Sequence, residues 1–198
     1  MAKDMKDIDT FAPTLLPDTT TGKSVLILVA KDVQDLEFFY PYYRLLEEGY
    51  NVDIASPEGG DVKGEAGWEI KNTRHIDSID PAEYALLYIP GGHAPKHLSK
   101  SKEVIGRVQQ FAQSGRPIAA FCHGPQVLVA AGLVKGKKLT AYPEVEKEII
   151  EAGGFYTDLP LVEDGQFITS RWPGDLPGHV QAILKRLQAV QAKVRRVS

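Results

Sequence analysis

Ile118-Ala119-Ala120-Phe121-Cys122-His123-Gly124-Pro125 decides how this chain is read. An apolar run of strand type, Pro117 to Phe121, ends at Cys122, and Gly124 and Pro125 open a segment, Gln126 to Ala131, that reads as a buried helix. A strand that turns sharply into a helix through a small residue is a nucleophile elbow. It projects the side chain at its tip into a cleft and aims helix amides at it. The positive end of such a helix stabilises a thiolate, so Cys122 is expected to ionise at neutral pH.

The pattern on either side is that of alternating strands and helices. Ser24 to Ala30 is a continuous apolar strand, the kind buried on both faces of a parallel sheet. A polar loop and then a helix follow, with Tyr42, Leu45 and Leu46 on one face and an end near Gly49. Pro41 conflicts with the carbonyl of Glu37, so this helix is expected to begin after Glu37 or to kink there. Val52 to Ser56 is a second strand, Asp61 to Thr73 a small hairpin beside the main sheet, and Tyr84 to Ile89 a buried strand ended by Pro90-Gly91-Gly92. Ser101 to Ser114 is an amphipathic helix carrying Val104, Ile105, Val108 and Phe111. Pro143 to Ala152 is a helix with proline at its start, acids in its first turn and Gly153 after its end. Two strands around Asp164-Gly165 form a hairpin, and the last helix bears Val180, Ile183, Leu184, Leu187 and Val194 on one stripe. The basic tail from Lys185 to Ser198 reads as a solvated helix end.

This alternation predicts an α/β sandwich with a mainly parallel sheet. In such folds the functional crevice lies beyond the carboxyl ends of the strands. Three segments leave strand ends there: Lys31 to Glu37, Pro90 to His97, and Cys122 to Pro125.

Composition narrows the function classes. The 198 residues carry a net charge of -3, which gives no reason to expect nucleic acid as a partner. One cysteine excludes an internal disulfide and suits a reducing cytoplasm. No apolar run approaches the roughly 20 residues of a membrane span. Residues 1–23 mix charges, prolines and threonines and read as a flexible or surface-wrapped extension, leaving 24–198 as a single α/β domain. His93 and His97 lie four apart, but Pro95 between them argues against a shared helical face, and no cysteine or acidic cluster completes a metal-ligand set. No glycine-rich fingerprint points to a nucleotide, so no cofactor is expected.

Five motifs then occur in one order: Glu37 four before Pro41; Pro90-Gly91-Gly92 with Ala94-Pro95; Ala120 to Pro125; Ala141-Tyr142-Pro143; and Ser170-Arg171-Trp172-Pro173-Gly174-Asp175-Leu176. Together they resemble the PfpI-type family of intracellular cysteine proteins, within the class I glutamine-amidotransferase-like superfamily. The resemblance implies a flavodoxin-like three-layer fold, at least a homodimer with hexamers in some members, and peptidase, glyoxalase, deglycase or stress-protective activity. It implies Cys122 as nucleophile and Glu37 as an acid against the sulfur. A carboxyl beside a thiolate has a raised pKa, and a protonated Glu37 can shuttle protons. It implies His123 as the base of a Cys-His-carboxylate triad, with Gly92 and His123 offering backbone N–H groups to an oxyanion. Tyr142 falls near the thiol, and Arg171 and Asp175 are expected to support the site or a subunit interface.

One departure matters. The family triad takes its carboxylate from a Glu directly after Ala-Pro, supplied by the neighbouring subunit, and this chain has Lys96 there. An ammonium cannot accept from an imidazole N–H. Asp175 is the candidate substitute. The leading expectation is therefore a cofactor-independent cysteine enzyme acting on small reactive carbonyls. A cysteine peptidase or amide hydrolase acting on peptides is the first alternative, and a non-catalytic redox sensor or chaperone the second.

Overall fold

The computed structural model describes the backbone of residues 24–195 and side chains to 189. The expected extension over 1–23 and the place of Val194 in its stripe lie outside the described side chains.

The chain opens with β1 (Ser24–Leu28), α1 (Asp35–Glu47) and β2 (Asn51–Ser56). The hairpin β3 (Gly60–Lys63) and β4 (Glu69–His75) follows, then β5 (Tyr84–Ile89). Next come α2 (Ala94–Leu98), α3 (Lys102–Gln113), β6 (Ile118–Phe121) and α4 (Pro125–Ala130). The last third holds β7 (Lys138–Leu139), α5 (Glu146–Glu151), β8 (Phe155–Tyr156), β9 (Val162–Asp164), β10 (Phe167–Ser170) and α6 (Leu176–Arg195). Eight strands form one sheet in the order β3-β4-β2-β1-β5-β6-β10-β9, and β7 pairs with β8 in a separate ribbon. β4-β2-β1-β5-β6-β10 are mutually parallel, and only the outer pairs, β3 with β4 and β9 with β10, are antiparallel.

Val25 to Leu28 are each at most 2% exposed. Successive strand residues point to opposite faces, so both faces of the sheet are covered. Helix α1 packs on α6, while α2, α3 and α5 pack around α4. The α/β reading is correct, and the flavodoxin-like architecture implied by the motifs is the one found.

Local departures have physical reasons. Helix α1 does not wait for Glu37: it begins at Asp35 and runs through Pro41 to Glu47. Gln34 caps its start, its side chain accepting from the Glu37 N–H at 2.9 Å. Pro41 has no N–H for the Glu37 carbonyl. The fully buried Tyr88 hydroxyl donates to that carbonyl instead, at 2.7 Å. The hairpin read as lying beside the sheet joins its edge, because β4 pairs parallel with β2. The Ser56 and Thr73 hydroxyls meet at 2.7 Å across that junction. The expected Pro143 helix splits into a 3-10 turn, Pro143–Val145, and α5. Pro95 occupies the first turn of α2, where a missing N–H costs nothing, and His93 stands at the helix's N-cap while His97 lies within it.

The chain order reverses direction between β1 and β5, the place where an open sheet leaves a crevice. The carboxyl ends of β1, β5 and β6 converge there.

Candidate active site

Each of the three strand ends delivers one part. After β6, Cys122 takes φ +56°, a left-handed conformation that a non-glycine residue enters at a cost of about 1–3 kcal/mol. Neighbouring backbone holds it there. The Cys122 N–H donates to the Ser170 carbonyl (3.0 Å), the Tyr142 N–H to the Cys122 carbonyl (2.9 Å), and the Gly124 N–H to the Phe121 carbonyl (2.6 Å). The elbow is therefore present as read, and Cys122 is 6% exposed.

After β5, Gly91 and Gly92 form the facing wall. A Cβ on Gly91 would lie 2.5 Å from Glu37 Oε2 and 2.6 Å from Cys122 Cβ, so only a glycine admits both groups. Gly92 has φ +75° and bridges to Val33, which stitches this loop to the one after β1.

After β1, helix α1 carries Glu37 into the crevice. Its side chain is wholly buried. Oε2 accepts from the Gly91 N–H at 2.8 Å, and Oε1 is sealed from solvent with no hydrogen-bond partner at contact distance. The Cys122 thiol faces this carboxyl and favours its charged form. Burial raises the Glu37 pKa from 4.5 to about 7, against the opposing pull of the Gly91 N–H.

The thiol does not behave as the helix argument alone expects. Burial pushes the Cys122 pKa up and the Glu37 carboxyl pushes it further, while the N–H groups of Gly92 and His123 pull it down. The short helix α4, six residues long, does not outweigh burial and the carboxyl. A protonated Glu37 no longer repels a sulfur anion, and two backbone donors remain aimed at the sulfur.

His123 offers a second destination. Its Nδ1 lies 3.3 Å from Cys122 Sγ. Tyr142 packs against the ring, with centroids 4.7 Å apart. Burial lowers the His123 pKa, and Glu144 opposes that. Glu144 Oε2 stands 3.7 Å from Nε2. Sequence reasoning missed this acid, which it counted among the first-turn acids of a helix.

Other expected residues sit elsewhere. Asp175 does not reach His123: it receives the Arg171 guanidinium, with Nε to Oδ2 at 2.9 Å. Arg171 also pairs with Asp158 and lies over the Trp172 ring, so the pair braces the β10–α6 connection. Lys96 is exposed on α2. His93 is engaged by Glu65 at 2.6 Å. Among the described residues no group of three or more His, Cys, Asp or Glu side chains is placed to hold a metal ion.

Residues 23–186 match the DJ-1/PfpI family. The chain belongs to the DJ-1/PfpI family. It is 38% identical over 164 residues to deglycase PH1704 of Pyrococcus horikoshii, covering 83% of this chain and 99% of that protein. It is 35% identical over 171 residues to protein/nucleic acid deglycase 2 of Escherichia coli, covering 85% and 99%. A two-domain protein from Anabaena variabilis, with DJ-1/ThiJ/PfpI-like and ferritin-like domains, superposes with a TM-score of 0.82 at 36% identity. That match covers 84% of this chain and spans about half (48%) of the Anabaena chain. Cys122 and Glu37 both lie within the matched residues.

Proposed function

We propose that this chain is a cofactor-independent cysteine enzyme that acts on small reactive carbonyls, 2-oxoaldehydes and their adducts. One observation carries the proposal: a carboxyl sealed from solvent meets the elbow cysteine at Gly91. Relatives named as deglycases, matched over nearly their whole length, support it.

The chemistry follows from the placement. The Cys122 sulfur adds to the aldehyde carbon, and the carbonyl oxygen takes the proton that Glu37 holds. The N–H groups of Gly92 and His123, which face the sulfur, are assigned to the negative charge that develops on the neighbouring oxygen. Glu37, now a carboxylate, removes the proton from the former aldehyde carbon and returns it to the neighbouring carbonyl carbon, while the hydroxyl proton on the first carbon's oxygen passes to the oxygen of the second. A thioester of a 2-hydroxy acid results, and water releases the acid and restores the thiol. A group titrating near 7 serves as acid and base in turn.

The test is methylglyoxal consumption by the wild type, Cys122→Ala and Glu37→Gln. Loss in both variants supports the assignment, and equal turnover in all three removes it. Glu144 beside His123 favours a second reading, a peptidase or amide hydrolase, for which a peptide aldehyde should form an adduct at Cys122. A cytoplasmic homodimer completes the proposal, supported by the family resemblance, and a monomeric sedimentation mass at micromolar concentration would refute the dimer. No helix among the described residues is long and apolar enough to cross a membrane.

A further inference from the structure

The geometry points to Glu144 as a positioning residue that draws the Cys122 proton onto His123 from within the same chain. The inference rests on the proposed reading of Cys122 as nucleophile and adds an in-chain partner to its histidine.

Two contacts lie in sequence. Cys122 Sγ meets His123 Nδ1 at 3.3 Å, and His123 Nε2 meets Glu144 Oε2 at 3.7 Å. Tyr142 fixes the ring plane from one side while its own N–H donates to the Cys122 carbonyl. Tyr142 and Glu144 are two residues apart, so the segment that packs the ring also brings the acid. Lys96, where the family resemblance implies a neighbouring subunit's carboxylate, cannot fill that role.

The other charges near the ring have different commitments. Glu65, from the β3–β4 turn, is occupied by His93 at 2.6 Å, and His93 from the β5–α2 loop opposes charging His123. Glu37 is buried against the Gly91 N–H and the thiol. Glu144 is thus the carboxylate at ion-pair distance from Nε2. With Nε2–H facing Glu144, Nδ1 carries the lone pair that receives the thiol proton. The proton moves from Sγ to Nδ1, leaving a thiolate beside an imidazolium whose far side faces a carboxylate.

The sign of the effect separates this role from a bystander's. A nearby anion acting on the thiol through space disfavours the thiolate, so deleting it would speed alkylation. An anion acting through His123 favours the thiolate, so deleting it slows alkylation. The experiment is the rate of Cys122 alkylation by iodoacetamide against pH, in the full chain. Glu144→Gln is expected to slow it about fivefold near neutral pH at low ionic strength, since the pair is 78% exposed on the acid side and acts through a water-like dielectric. High salt should narrow that gap. Glu144→Asp should recover most of the rate, and Glu151→Gln, the same charge change at the far end of α5, should leave it unaltered. In a His123→Ala background Glu144→Gln should cause no slowing. A Glu144→Gln rate equal to or above the wild type, or slowing that persists without His123, overturns the assignment. Alkylation requires no substrate turnover, so a chain inert toward methylglyoxal would still report on Glu144.

Discussion

Replacing Glu37 by Gln should remove a loss of stability that the wild type suffers as pH rises from 4.5 to 7. The wild-type carboxyl is raised from 4.5 to about 7 in the fold, chiefly by burial. At 1.36 kcal/mol per pH unit this corresponds to about 3 kcal/mol. The folded-state pKa lies above the unfolded one, so the folded chain binds more protons between them. The stabilisation is complete below about pH 4.5, declines as pH rises toward 7, and is gone above it, where a bare carboxylate is held in a sealed site. Gln keeps the shape and an oxygen for the Gly91 N–H but carries no titrating proton. Relative to the wild type, Glu37→Gln should therefore gain about 3 kcal/mol between pH 4.5 and 8. In urea unfolding that is a midpoint gap of about 1–3 M, at a slope of about 1–3 kcal/mol per M. The contribution of His179 changes below pH 6.5 and is the same in both proteins, so it cancels in the difference. A gap between the two proteins that does not change from pH 4.5 to 8 would refute the reasoning.

Further predictions address the scaffold around the dyad. Tyr88→Phe leaves the Glu37 carbonyl without a donor in a buried place, because Pro41 supplies none. It should cost about 1–3 kcal/mol in denaturant unfolding and lower turnover by loosening α1. Gly91→Ala sets a methyl 2.5 Å from Glu37 Oε2 and 2.6 Å from Cys122 Cβ. It should lower stability by about 1–3 kcal/mol and abolish methylglyoxal consumption, read by thermal unfolding and a carbonyl assay. His179 is fully buried behind the elbow, its Nδ1 3.0 Å from Ser170 Oγ, and burial lowers its pKa from 6.5 to about 3. Its folded-state pKa is depressed, so its stabilisation is full above 6.5 and lost as pH falls toward 3. His179→Leu should remove about 3 kcal/mol of the stability change between pH 4 and 6.5, measured by urea unfolding across that range.

What the sequence revealed and what it hid divide along physical lines. Long apolar runs such as Tyr84–Ile89 carry their own signal, and the Cys122 elbow is legible because a strand, a small residue and Pro125 adjoin in the chain. Glu37 was legible through its place after β1. The two-residue strands β7 and β8 have no periodicity to detect. Asp175 and Glu144 illustrate the main limit. Each is an acid near a short turn, and only packing shows that Arg171 claims the first while the ring of His123 faces the second.

The most direct test is the protonation of Glu37 itself, followed by infrared difference spectroscopy of its carboxylic C=O stretch, assigned by its loss in Glu37→Gln. A band that persists through pH 6 and disappears with a midpoint near 7 is the expected result. A midpoint near 4.5 would mean that no acid proton stands against the Cys122 sulfur at neutral pH, and the account would be contradicted.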